Sequence, residues 1–72
     1  MNFQKYIAIN PDVRFSKPCI IGTRISVYDV LGWLAAGMNE KEIIRDYPEL
    51  KAKHIQACLA YAADKERKLK VV

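Results

Sequence analysis

The sequence predicts a mainly α-helical domain: a three-helix helix-turn-helix unit, homeodomain- or winged-helix-like, with a short N-terminal strand and a β-hairpin. Three observations carry that expectation. Ile20-Ile21-Gly22-Thr23-Arg24-Ile25 has the pattern of a tight hairpin between apolar pairs. Two short amphipathic stretches follow, each opened by a capping residue and broken at Gly37 and Pro48. A longer amphipathic stretch then runs from about Lys51. Two short helices ahead of a longer one are the skeleton of a DNA-reading helix-turn-helix.

Each element has a local reason. Phe3 to Ile9 alternates loosely enough for an edge strand, and Asn10-Pro11-Asp12 ends it as a turn, because proline pushes the residue before it out of the helical region. Gly22 and Thr23 are expected as the central pair of a two-residue hairpin, with Gly22 first, where φ must be positive. Ser26 offers an oxygen to the free N–H groups of a first helix, about Val27 to Ala36. Val27, Val30, Leu31 and Leu34 form its buried stripe, with Trp33 at the edge, half buried. Its other face, Tyr28, Gly32, Ala35 and Ala36, is small or aromatic rather than charged. Gly37 ends it, as a residue able to take positive φ does.

Asn39 caps the second helix, Glu40 to about Asp46, and Glu42 three residues on can reach back to complete a capping box. Ile43, Ile44 and Tyr47 are its buried residues, Pro48 stops it, and Leu50 plugs the turn that follows. The third helix begins near Lys51 or Ala52 without a good capping residue. By 100° steps Ile55, Cys58, Leu59, Ala62 and Leu69 share the core face, and Lys53, Ala57, Ala60, Tyr61 and Asp64 the outward one.

Length and composition bound the rest. Residues 1–72 make one domain, small enough that its core is marginal and a partner subunit would help to stabilise it. At 51% hydrophobic and 28% charged residues, the chain is globular rather than disordered. No apolar run approaches the roughly 20 residues of a membrane span and no leader is seen at Met1, so a cytoplasmic location is expected. Cys19 and Cys58 lie far apart, with His54 as the only further soft ligand, so neither a disulfide scaffold, a metal site nor a cofactor is signalled.

Charge is more telling by position. Residues 1–50 hold six basic and six acidic groups. Beyond them, Lys51, Lys53, Lys65, Arg67, Lys68 and Lys70 stand against Asp64 and Glu66, so the whole net charge of +4 lies on the third helix and its tail. That asymmetry favours a polyanionic partner, since neutralised phosphates release counterions. The same cations also suit a solvated helix end that complements the macrodipole.

The order of residues resembles a known family. Asn10-Pro11, Lys17-Pro18-Cys19-Ile20, Gly22-Thr23-Arg24-Ile25-x-Val27, Leu34-Ala35-Ala36-Gly37-Met38, Glu42-Ile43-Ile44, Tyr47-Pro48-x-Leu50 and Ala60-Tyr61-Ala62-Ala63-Asp64 are similar, in one order, to the small prokaryotic domain-of-unknown-function family numbered four-three-three. Its members are predicted antitoxins of toxin-antitoxin pairs. The resemblance implies a three-helix fold with a small β element and a neighbouring PIN-like nuclease as toxin partner. Three positions depart from the pattern: Ser16 in place of glycine, Asn39 in place of serine, and Lys51 in place of a capping threonine.

The functional expectation is a DNA-binding antitoxin-like protein that neutralises such a nuclease and represses its own operon. The alternative is an interaction module of the same fold that binds a protein without DNA. An enzyme is not expected, since no nucleophile-base order, apolar carboxylate pair or phosphate loop is present. Lys51, Lys53, His54 and Gln56 are the expected groove-entering start of the third helix, with Lys65, Arg67 and Lys68 on backbone phosphates. Tyr28, Trp33, Ala57, Ala60 and Tyr61 make the expected partner surface, serving a homodimer or the toxin. Arg24 has two readings, a grip on a phosphate or partner carboxylate, or a tie from the hairpin to Asp12 or Asp46.

Overall fold

The computed structural model describes residues 2–9 and 17–69. The turn expected at Asn10-Pro11-Asp12 lies outside the described residues, as does Asp12, one of the two acids considered for Arg24. The fold is mainly helical, as predicted, with three helices and a two-stranded antiparallel sheet.

The N-terminal segment is only half strand. Phe3–Lys5 forms a single 3-10 turn in which the Gln4 N–H donates to Asn2 Oδ1 at 3.2 Å, and the strand proper, β1, is Ile7–Ile9. It pairs antiparallel with β2, Pro18–Ile20, in the register Ile7 with Ile20, Ala8 with Cys19 and Ile9 with Pro18. The asparagine cap is what closes the early turn, a local bond that competes with extension.

The hairpin is wider than its sequence pattern suggests. The Ile20 N–H donates to the Ile25 carbonyl at 2.9 Å and Cys19 bridges Ser26, so residues 21–24 form the loop. Thr23 N–H donates to the Ile20 carbonyl at 3.1 Å, which places Gly22, at φ +85°, second of the two central residues rather than first. That is where a type II turn demands positive φ. Thr23 Oγ1 donates to the Ile20 carbonyl at 2.9 Å and accepts the Ile25 N–H at 3.0 Å, fixing the wider loop from within.

Helix α1, Val27–Ala35, opens on a full capping box: Asp29 N–H donates to Ser26 Oγ at 2.9 Å and Ser26 N–H to Asp29 Oδ2 at 3.1 Å. It closes on Gly37 at φ +103°, where Gly37 N–H meets the Leu34 carbonyl and Met38 N–H the Trp33 carbonyl, a Schellman ending. Helix α2, Glu40–Asp46, carries the predicted Asn39–Glu42 box, both bonds at 2.9 Å. Helix α3 is Ala52–Leu69.

The core joins all of these. Ile7, Ile20, Ile25, Val27, Val30, Ile43, Leu50, Ile55, Ala57 and Cys58 form one cluster, with Leu50 fully enclosed as the plug under the α2–α3 turn. Two assignments on α3 are corrected. Leu59, expected inside, is 48% exposed, and Ala57, expected on the partner surface, is completely buried. The buried arc of α3 is therefore rotated by roughly a quarter turn from the stripe read by periodicity. The cause is tertiary: α1 and α2 cover one side of α3, and the N-terminal 3-10 turn lies against another through Phe3 on Tyr61 and Tyr6 on His54.

Candidate nucleic-acid and partner surfaces

The start of α3 is held by a residue that the sequence assigned to the groove. His54 stands third in the helix, and its Nδ1 accepts the Lys51 N–H at 2.9 Å. It thereby does what the glutamate of a capping box does, satisfying a backbone donor ahead of the first turn. Accepting through Nδ1 requires the neutral imidazole. Partial burial, followed by the charges of Lys53 and Lys51, lowers its pKa below the ordinary value of 6.5. The ring also packs edge-on to Tyr6 at 5.7 Å. His54 is thus a positioning residue for the helix start, with Nδ1 committed inward.

Lys51, Lys53 and Gln56 are exposed around that cap. Lys53 Nζ sits 5.6 Å from the centre of the Tyr6 ring, a cation–π contact that holds the ammonium near the helix start. Continuing along the helix, Ala52, Gln56, Leu59, Ala63 and Arg67 share the exposed side with Lys53. Asp64, which periodicity placed on the outward face, is partly buried at the edge of that stripe: its Oδ1 accepts from Arg67 Nη2 at 3.4 Å, with the side chain 23% exposed. Lys65 reaches back over the Tyr61 ring at 5.5 Å. The side chain of Lys68 lies outside the described residues.

The expected partner residues separate into three groups. Tyr28 is 74% exposed, with Lys17 Nζ 5.7 Å from its ring centre. Trp33 is half buried, stacked on Tyr47 at 4.1 Å and 10°, so α1 and the end of α2 are clamped through it. Tyr61 and Ala60 are half buried, Tyr61 meeting Phe3 edge-on at 5.4 Å, while Ala57 is core and presents nothing to a partner. Tyr28 and Tyr61 nevertheless meet across one cleft between α1 and α3, with a volume of about 320 Å³ and Lys17, Pro18, Val27 and Leu31 as its remaining walls. Lys17 and Leu31 were not among the partner-surface residues expected from sequence; the adjacency of β2 to α1 brings them there.

Arg24 is exposed at the hairpin and lines a separate cleft with Glu49. Asp46, one of the two acids considered for it, is met by Arg45 Nε at 3.3 Å. Both cysteines are free and buried, and among the described residues no group of acids, histidines and cysteines is placed to hold a metal. No helix among them is long and apolar enough to cross a membrane.

Comparison with known proteins agrees with this architecture. A solved structure, a DUF433 member protein from Anabaena variabilis, superimposes with a TM-score of 0.82 at 29% identity, covering 90% of this chain and 64% of that one. The uncharacterized protein y4eO of Sinorhizobium fredii is 32% identical over 59 residues, which is 82% of this chain and 27% of that protein. The chain thus spans about a quarter of the length of that relative and somewhat under two thirds of the solved one. Residues 7–62 match the model of the family described as protein of unknown function DUF433, and the chain belongs to that family.

Proposed function

We propose that this domain is a DNA-binding, antitoxin-like protein: the exposed side of α3 reads an operator and a second surface neutralises a PIN-like nuclease encoded nearby. The observation that carries the DNA half is the composition of that side. Lys53, Gln56, Leu59, Ala63 and Arg67 run along it with a cation towards each end, and Asp64 is only 23% exposed, its carboxylate accepting from the Arg67 guanidinium. Gln pairs with adenine, Lys with guanine, and apolar side chains such as Leu59 and Ala63 meet thymine methyl groups. Helix-turn-helix readers make such contacts from the N-terminal part of the recognition helix. Glu66 stands exposed at the edge of the last turns, where backbone cations rather than base readers are needed.

The test is fluorescence anisotropy on a duplex spanning the promoter of the protein's own gene, against a scrambled duplex. Lys53→Ala with Gln56→Ala should cut the preference for the promoter by about tenfold or more, each good base contact being worth about 1–3 kcal/mol. Lys65→Ala with Arg67→Ala should weaken both duplexes alike and flatten the salt slope. Absence of any salt-dependent binding would overturn the DNA reading. A second reading, an interaction module without DNA, is favoured by one observation, the 74% exposure of Tyr28 above an apolar cleft. A stable complex with the neighbouring gene's product and no DNA binding would establish it.

A further inference from the structure

We infer that Tyr6 is a positioning residue for DNA reading by α3: its ring sets where Lys53 presents its ammonium group. This role rests on the DNA half of the function proposed above and gives that site a residue from the N-terminal segment. The ring is a fixed platform. Phe3–Lys5 is a 3-10 turn, in which side chains three apart eclipse, so Phe3 and Tyr6 both face α3. Phe3 meets Tyr61 edge-on at 5.4 Å, and Tyr6 meets His54 edge-on at 5.7 Å. The Tyr6 backbone is bonded on both sides: its N–H donates to the Phe3 carbonyl at 2.9 Å, and its carbonyl accepts the Ile21 N–H of the hairpin at 2.8 Å. The side chain is half-buried and packs against the core.

Lys53, by contrast, is exposed on a flexible four-carbon stem, whose rotamers must be fixed when it contacts a base. Two contacts join the platform to it. Lys53 Nζ lies 5.6 Å from the Tyr6 ring centre, within the range where a ring face attracts an ammonium. The edge of the same ring supports His54, whose Nδ1 accepts the Lys51 N–H at 2.9 Å, so the backbone turn that carries Lys53 is held as well. A His54 ring accepting at Nδ1 is neutral and does not repel the ammonium beside it. Confining Lys53 in the free protein raises the fraction of molecules ready to bind, and apparent affinity rises with that fraction. Tyr6 adds no charge and neutralises no phosphate, so it acts on promoter preference and not on the salt slope.

The experiment measures anisotropy of the promoter and scrambled duplexes with full-chain variants at this position. Tyr6→Leu, folded by circular dichroism, should lower the preference for the promoter about threefold, the size of an exposed cation–π contact, and keep the salt slope. Tyr6→Phe retains the ring face and should match the wild type. A pentafluorophenyl ring in place of the phenol has nearly the same shape with the charge of its face reversed, and should behave as Tyr6→Leu does. Because it preserves packing, it decides the matter even where the Leu variant unfolds. In a Lys53→Ala background the ring replacements should have no further effect, the signature of coupling rather than of a loosened fold. Equal losses in both backgrounds, a Phe variant as weak as the fluorinated one, or a preference unchanged or improved by fluorination would overturn the role of Tyr6 and leave DNA reading standing. A wild type with no preference for the promoter would remove the base reading and the role of Tyr6 together.

Discussion

His54 is the residue whose role changed most between sequence and structure, and its chemistry yields a pH dependence with a definite sign. Nδ1 accepts the Lys51 N–H only while the ring is neutral, and its surroundings lower its pKa from the ordinary 6.5. On acidification the unfolded chain therefore takes up this proton first. The cap's contribution is fully present above the unfolded value and is lost as pH falls through 6.5 and then through the folded value. The chain has a single histidine, so thermal melts between about pH 7.5 and 5.5 isolate this group from the carboxylates. The wild type should lose melting temperature over that window and His54→Ala should lose less. A ring-proton titration with a midpoint at or above 6.5 would contradict the cap. Cys58 gives a second prediction at this scale. Burial pushes its thiol up to about 11. Because the thiolate is the nucleophile, iodoacetamide at about pH 8 should label Cys58 only after denaturation. Rapid labelling of the native chain, read by mass spectrometry of its peptides, would show the site to be open.

At the scale of elements, the termini of the helices explain why the short ones exist at all. Helices of nine and seven residues are too short to persist alone. Both carry reciprocal boxes, and Asn39→Ala should cost about 1 kcal/mol, or about 4–8 °C in melting temperature for a domain of this size. A change below experimental error would mean that the tertiary contacts of Ile43 hold α2 without its cap. Gly32 tests the outer face of α1 in the opposite direction. A Cβ built there meets nothing within 4 Å, so Gly32→Ala should stabilise the isolated domain by about 0.5–1 kcal/mol through helix propensity. If the substitution instead weakens self-association, a second copy lies close to that glycine. The boxes at Ser26 and Asn39 and the stop at Gly37 were legible in sequence because a cap is a bond between residues three apart. The His54 cap was missed because the motif is normally read only for Glu or Gln at that position.

For the whole molecule, the relevant balance is a small core against the entropy of ordering the chain. Ile43 and Leu50 are completely buried, and truncating either to Ala should cost about 2–5 kcal/mol, a large share of what such a domain has. A denaturant midpoint unmoved by Leu50→Ala would remove the plug from this account. Tyr28, Gly32, Ala35 and Ala36 leave one side of α1 exposed and uncharged, which motivates the expectation of a homodimer. Light scattering at micromolar concentration should give twice 8.3 kDa, and a monomer throughout would set that expectation aside.

What the sequence determined by itself is local: three helices with their limits, the positive φ at Gly22 and Gly37, the plug at Leu50, and a basic third helix. Caps, turns and proline breaks act over three or four residues, so their partners are adjacent in the chain. Only the tertiary structure decided which side of α3 is inside. Periodicity gives the angles between side chains on a helix but not the direction from which neighbours cover it. Phe3 and Tyr6, some fifty positions away from the residues they touch, packed against Tyr61 and His54 and helped turn Ala57 in and Leu59 out. The adjacency of β2 to α1 likewise set Lys17 beside Tyr28, a contact that no local pattern encodes.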